Sequence, residues 1–313
     1  MPERATLVFI VAVTSVLLAG SAAGLVLRRR VRTDAGRRTA DNLVARVNAW
    51  WVMAGVFGAA LWLGAGGVVG LFALISFLAL REVLTITPTR RGDHRTLFWA
   101  FFVCLPLQYS LIVYDWYNLF VILIPVYGFL FFAVRSALAG DVTCYLERAA
   151  KVYWGVMICV YCLSHAAMLW RLDIVDYGRG RWQLLAFLVV VVQMSDVLQY
   201  VWGKLLGRRK VAPNLSPSKT WEGLVGGVLT ASLLGVAMSP MTPFTWWQAG
   251  LLALLICVMG FFGGLVASAI KRDSGVKDYG QLIEGHGGMM DRVDSLAFAA
   301  PIYFHVVRYC FTG

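Results

Sequence analysis

Two short stretches of this 313-residue chain carry residue types that can do chemistry. The later one holds Ser268, Lys271, Arg272, Lys277, Asp278, Gly280, His286, Gly287, Gly288, Asp291, Arg292 and Asp294. A Gly287-Gly288 turn opening a helix lets backbone amides approach an anion closely, which is how a phosphate is cradled. Asp291 and Asp294 are three apart, so they share one helical face. Carboxylates beside Lys271, Arg272, Lys277 and Arg292 make the set that a magnesium–triphosphate site requires. Mg²⁺ takes one or two carboxylates and completes its shell with phosphate oxygens. The plain alternative is a salt-bridged connecting loop.

The earlier stretch holds Asp196, Tyr200, Gly203, Lys204 and Gly207, followed by Ser216, Lys219, Thr220, Trp221, Glu222 and Gly223. Asp196 falls near the end of an apolar run, where an ionisable group is expensive and usually has a partner and a role. Asp196, Tyr200, Gly203 and Gly207 follow helical spacing and line one face. Thr220 can cap a helix, with Glu222 in its first turn near the positive dipole end. It can equally offer a hydroxyl, with Ser216 and Lys219, to a phosphate. Spacing leaves both roles open.

The elements that must position these residues are apolar helices. The chain is 59% hydrophobic and 14% charged, with mean hydropathy +0.71, whereas a soluble domain carries roughly 25% charged residues. The apolar residues come in long runs, and a helix needs about 20 of them to cross a bilayer. Ten spans are predicted, near 5–27, 48–64, 67–84, 97–113, 117–134, 152–170, 182–202, 221–238, 246–267 and 295–311. The second and third are divided only by the Gly64–Gly67 linker, so nine is the other count. The expected fold is all-α and polytopic, with an N-terminal transmembrane region (1–134) and a C-terminal catalytic region (135–313). Pro106 and Pro125 are expected to kink their helices, which neighbouring spans tolerate.

The net charge of +11, from 28 Lys and Arg against 17 Asp and Glu, is explained by topology rather than by nucleic-acid binding. Loops 28–47, 85–96, 135–151, 203–220 and 268–294 together hold 22 basic residues, against four in the opposite set. Positive-inside bias puts the five rich loops, and both chemical stretches, on the cytoplasmic side. The first apolar segment is followed directly by Arg28, Arg29, Arg30 and Arg32, so it reads as an uncleaved anchor rather than a signal peptide. Cys159 and Cys162 form a CxxC without a second pair, inside an apolar run, which points to packing rather than to zinc or redox chemistry.

The two stretches resemble the signature regions of phosphatidate cytidylyltransferases, also called CDP-diglyceride synthases. The resemblance rests on Ser268, Ile270, Lys271, Arg272, Lys277, Asp278, Gly280, Ile283, His286, Gly287, Gly288, Asp291, Arg292, Val293 and Asp294. It rests also on Asp196, Tyr200, Gly203, Lys204, Gly207 and on Ser216, Pro217, Lys219, Thr220, Trp221, Glu222 and Gly223. It is close over those stretches, looser over 140–313, and in hydropathy only before that. It implies an inner-membrane, multi-pass enzyme that joins CTP to phosphatidate in a cytoplasm-facing funnel among membrane lipids. Mg²⁺ is the implied cofactor, with a second cation beside it, and a homodimer is the implied assembly. Asp291 becomes the first metal ligand by this carry-over, with Asp278, Asp294 and Asp196 as further ones. Lys219, Lys271, Arg272, Lys277, Arg292 and Lys204 bind phosphates, as do Gly287 and Gly288. Ser216, Thr220 and Ser268 donate hydrogen bonds, and His286 orients the loop or a phosphate.

Two positions depart from the family pattern. Glu284 stands where Pro or Gly is usual, and Ser218 where many bacterial members have a second lysine. They leave open another lipid acceptor, as in a polyprenol kinase or a CDP-ether-lipid synthase, or a degenerate relative. A transporter is the rival for an unmarked ten-span protein. It would place charges at the midplane of two related halves, whereas here they cluster at one face of the C-terminal half.

Overall fold

The computed structural model describes residues 2–30, 34–174, 177, 181–280 and 287–312. Every apolar run becomes a helical rod. In chain order these are α1 (Pro2–Arg30), α2 (Asp34–Trp62), α3 (Gly64–Thr85), α4 (Arg91–Val113), α5 (Tyr117–Ala137), α6 (Tyr145–Arg171), α7 (Arg181–Leu206), α8 (Trp221–Ala237), α9 (Trp246–Asp273) and α10 (Met290–Phe311). The only sheet among the described residues is an antiparallel hairpin of β1 (Lys210–Ala212) and β2 (Ser216–Thr220). The protein is all-α and polytopic. Eight rods, α1 to α7 and α9, are long and apolar enough to cross a membrane. The apolar rod α8 is shorter, at 17 residues. The first turns of α10 carry Asp291, Arg292 and Asp294.

Two rods change helical type next to a proline. Pro106 has no N–H, and its ring collides with the carbonyl four residues back, so the hydrogen-bond ladder has to slip there. A π-helical stretch, Ala100–Cys104, lies just ahead of it. Pro125 sits inside a second one, Leu123–Gly128. A third, Met157–Cys162, contains Cys159 and Cys162, both free thiols. Cys159 is wholly buried, with Sγ 3.8 Å from Met290 Sδ, which is the packing role expected for it.

The connections that precede α4 and α6 meet. There a buried ion network ties the start of α4 to the start of α6. Arg148 is 6% exposed; its Nε donates to Asp93 at 3.1 Å and its Nη1 pairs with Asp141 at 2.8 Å. The carbonyls of Thr143 and Asp141 accept from the same guanidinium. Asp141, in the connection, is held below the usual carboxylate range, first by the Thr143 amide and then by Arg148 and Arg90.

The C-terminal half is organised by close helix pairs: α7 on α8, α8 on α9, α9 on α10. In lipid such pairs depend on small residues that let backbones approach. A Cβ at Gly227 of α8 would lie 2.4 Å from the Gln199 side chain and 2.6 Å from its backbone nitrogen. This contact sets the position of α7, and with it Asp196, against the hairpin that precedes α8. Gly227→Ala is therefore expected to force the two helices apart, at about 1–3 kcal/mol for an overpacked contact. A thermal melt of the detergent-solubilised protein should register it as a lowered midpoint, and an unchanged midpoint would show that the pair has room to spare.

Candidate active site

Four elements of the C-terminal half meet. These are the C-terminal part of α7, strand β2, the last turns of α9 and the first turns of α10. Each is placed by a local sequence feature. Thr220 caps α8: its hydroxyl accepts from the Gly223 amide at 3.1 Å. The capping reading therefore holds, and the side chain is 3% exposed. Glu222, two residues on, accepts from the amides of Arg208 and Arg209 at 3.0 and 3.2 Å and so closes the hairpin. α9 starts at a Thr245–Gln248 capping box and ends with Lys271 and Arg272 in its last turn, where cations suit the dipole.

The first cluster is Asp291 with Lys271. Lys271 Nζ lies 2.8 Å from Asp291 Oδ1, with both side chains mostly buried. Asp291 Oδ2 accepts two amides, Tyr279 and Gly288, each at 2.9 Å. Every oxygen of this carboxylate already has a donor. Lys271 also stands 5.3 Å from the centroid of the Tyr279 ring, and the Tyr279 hydroxyl donates to the Ala267 carbonyl at 3.2 Å. The turn after Asp278 is thereby tied to both α9 and α10.

The second cluster is Asp196, Asp294, Lys219 and Ser295. Asp196 keeps an open side chain on α7. It lies in the electrostatic field of Asp294, Lys219 and Arg292. Asp294 Oδ1 accepts from the Ser295 amide at 2.7 Å. Lys219 reaches in from β2, 4.8 Å from the centroid of Phe261 and 3.5 Å from its carbonyl. A Cβ at Gly264 would come within 2.6 Å of Lys219 Nζ, so the glycine is what admits the ammonium group. Burial lowers the pKa of Lys219. The neighbouring Asp196 and Asp294 oppose the shift, and Lys271 adds to it.

The remaining expected residues fall into three groups. Lys204, Arg272, Lys277 and Asp278 are exposed around the rim. Lys204 leans over Tyr200, and Arg272 donates to the Val276 carbonyl at 3.1 Å. Ser216 is half-buried in β2, opposite Ala212. Ser268 donates back to the Gly264 carbonyl at 2.7 Å, within its own helix. Arg292 is half-buried, and its carbonyl accepts from Gln193. His286 and Glu284 lie outside the described residues.

Thr220, read as a cap, a phosphate donor or both, accepts in the cap through its hydroxyl oxygen and retains its own proton to donate. One expectation needs correction. The Gly287-Gly288 turn was expected to offer its amides to a phosphate. The Gly288 amide instead goes to Asp291. The next two, Met289 and Met290, go to Glu82 of α3 at 2.9 and 2.8 Å. Gly287 does take the left-handed conformation, φ +82°, that such a turn requires. The anion the turn receives belongs to the chain itself.

Glu82 escaped the sequence reading. It is 5% exposed within a predicted span, and it lies far from both chemical stretches. The signal was present: the rule that singled out Asp196, an ionisable residue at membrane depth, applies equally to Glu82.

As for a metal, the described residues contain no group of three or more His, Cys, Asp or Glu side chains arranged around one point. They do bring together the Asp196 and Asp294 carboxylates. That donor set fits Mg²⁺, which needs few protein carboxylates when phosphates supply the rest.

Comparison with known proteins identifies the family of the chain. The model of the cytidylyltransferase family matches residues 44–310. The uncharacterized protein YnbB of Escherichia coli (strain K12) is 42% identical over 274 residues, covering 87% of this chain and 90% of that protein. Phosphatidate cytidylyltransferase of Synechocystis sp. is 42% identical over 126 residues, 40% of this chain and 42% of the relative. The enzyme of that name from Brucella abortus is 40% identical over 121 residues, covering 38% and 45%. The matches to these two named enzymes thus cover under half of each.

Thr220 gives a direct check on the local geometry. Thr220→Ala is expected to cost about 1 kcal/mol as a lost cap, and Thr220→Ser to keep most of the stability. Melting midpoints of the two variants decide it, and equal losses would mean that the methyl packing, not the cap, is what counts. With carboxylates and lysines gathered at one end of a bundle of apolar helices, and a family match running through nearly all of it, the chain belongs to the cytidylyltransferase family and is a membrane-embedded nucleotidyltransferase.

Proposed function

We propose that the protein transfers the cytidylyl group of CTP to the phosphate of phosphatidate, giving CDP-diacylglycerol and diphosphate. The observation that carries this reading is the convergence of Asp196, Asp294, Lys219 and Lys271 at the polar end of membrane-spanning helices. One substrate is a lipid and the other is soluble in water, so their reacting groups can meet only at that level. The 22 basic residues of the flanking loops support a cytoplasmic position for it, in the inner membrane of a bacterium.

An oxygen of the lipid phosphate attacks the α-phosphorus of CTP. The bond from that phosphorus to the bridging oxygen breaks in line, and diphosphate leaves with the electron pair. The work left to the protein is positioning and neutralisation of charge. Lys219, held between Phe261 and Gly264, faces the triphosphate with a cation that cannot swing away. Lys271 is steered by Asp291 toward the same space. Asp196 and Asp294 would hold Mg²⁺, which supplies charge neutralisation on the phosphate oxygens as the leaving group departs. Asp291, whose oxygens are engaged by Lys271 and two amides, orients rather than ligates in this reading. Arg272, Lys277 and Lys204, on the rim, meet the incoming anionic substrates. No general base is needed, because a phosphate monoester with a second pKa near about 6 is already largely ionised at neutral pH.

The test is transfer of label from CTP to phosphatidate in mixed detergent–lipid micelles. Wild-type protein should incorporate label in a Mg²⁺-dependent way. Asp196→Asn and Asp294→Asn should each lose at least about tenfold in rate and require more Mg²⁺, as losses at a metal shell do. Asp291→Asn should lose rate without moving the Mg²⁺ requirement. A shift in that requirement on Asp291→Asn alone would return the metal to Asp291. Wild-type protein that binds Mg²⁺–CTP but leaves phosphatidate unlabelled would rule out this acceptor and favour another phosphorylated membrane lipid. The named enzymes align with only about two-fifths of this chain, and the rest is where an acceptor preference could differ.

A further inference from the structure

Glu82 has features that the proposed reaction does not use. Its carboxylate sits in α3, 5% exposed, and it receives the amides of Met289 and Met290, 207 and 208 residues further along the chain. Each oxygen takes one amide, at 2.9 and 2.8 Å. Helix N-termini are ordinarily capped by a residue of their own turn, at little cost. A carboxylate brought into an apolar bundle is expensive, and only good geometry repays it. The fold of α10 alone does not require that expense.

The packing around this carboxylate is equally specific. A Cβ at Gly288 would lie 2.4 Å from Glu82 Oε2, and one at Gly280 would lie 2.9 Å from Oε1. Two glycines of the signature segment are thus shaped around Glu82. The Gly288 amide then donates to Asp291, which holds Lys271. One line of contacts therefore runs from α3 through the turn to the lysine that faces the substrate phosphates. The carboxylate also occupies the place that a phosphate would take on the first free amides of α10. That sends the triphosphate to the side-chain cations instead.

We infer that Glu82 is a positioning residue for cytidylyl transfer: it fixes the Gly287–Gly288 turn, and through the turn it sets Asp291 and Lys271 in the reactive arrangement. The inference rests on the reaction proposed above, but its test has an arm that does not. Glu82→Gln keeps the size of the side chain, removes its charge and replaces one acceptor with a donor facing a backbone N–H. In the full-length, detergent-solubilised protein, kcat should fall tenfold or more while KM for CTP moves less than threefold. The melting midpoint should remain within a few degrees of wild type. Hydrogen–deuterium exchange should be faster over residues 287–292 and unchanged across α7 and α8. Glu82→Asp, which retains the charge but is too short to reach both amides, should recover part of kcat.

Wild-type kcat in Glu82→Gln would overturn the inference. A loss of rate that only tracks loss of folded protein would overturn it too, since Glu82 would then serve stability alone. If wild-type protein fails on phosphatidate while Glu82→Gln loosens 287–292 selectively, the acceptor is refuted and the positioning stands. If those amides exchange as in wild type, the positioning fails whatever the acceptor.

Discussion

A charge held at membrane depth has to be paired or hydrogen-bonded, and the elements around this site answer to that requirement. Glu82 is satisfied by two amides at the start of α10. Asp291 is satisfied by Lys271 and two more amides. Lys219 lies between a ring, a carbonyl and the fields of two carboxylates. Arg148, in a separate network, is satisfied by Asp93 and Asp141. Removing one member of such a set strands the other in a medium that cannot solvate it, which typically costs more than the intact pair contributes. Paired charge here acts mainly as a constraint on geometry, because each group can stay buried only where its partner is.

That constraint needs close backbone approach, which the glycines permit. Gly227 brings α8 onto α7 at Gln199, and Gly264 leaves space on α9 for the Lys219 ammonium group. Gly280 and Gly288 accept the Glu82 carboxyl. These are different contacts with one requirement, that no side-chain atom stand between a helix and the charged group it must meet. Interhelical packing in lipid relies on small residues because burial of apolar surface supplies little drive there. In this chain the same residues do a second job, since the gaps they leave are filled by polar groups.

The parts of this arrangement legible in the sequence were those encoded by local pattern. Apolar runs gave ten rods, and the charge asymmetry of their connections gave two polar stretches at one end. The spacing of Thr220, Glu222 and Gly223 suggested a cap, and the cap is there. The aspartates at 291 and 294 do share the first turns of a helix, yet they face different partners. The i, i+3 rule fixes a common face but not which neighbour each side chain meets. That Glu82 needed a partner was legible from its place inside an apolar span, but which partner was not. Its partners are 207 and 208 residues away, and no periodicity within α3 reports on α10. The turn at 287–288 misled because an amide nest reads identically whether its anion is a nucleotide phosphate or a carboxylate from another helix.

That last ambiguity bears on how such a site can serve two substrates. A backbone nest holds one phosphate in one orientation, whereas lysines fixed on separate elements can meet charge at more than one place. In a nucleotidyl transfer the negative charge shifts from the attacking phosphate, across the α-phosphorus, to the departing diphosphate. Lys219 enters from the hairpin between α7 and α8, and Lys271 from the end of α9, so the two cations come from separate elements. With the amides at the start of α10 taken up by Glu82 and Asp291, the turn contributes rigidity instead of binding. Under the proposed reaction, neutralising the phosphates then falls to side chains held at fixed places by the fold.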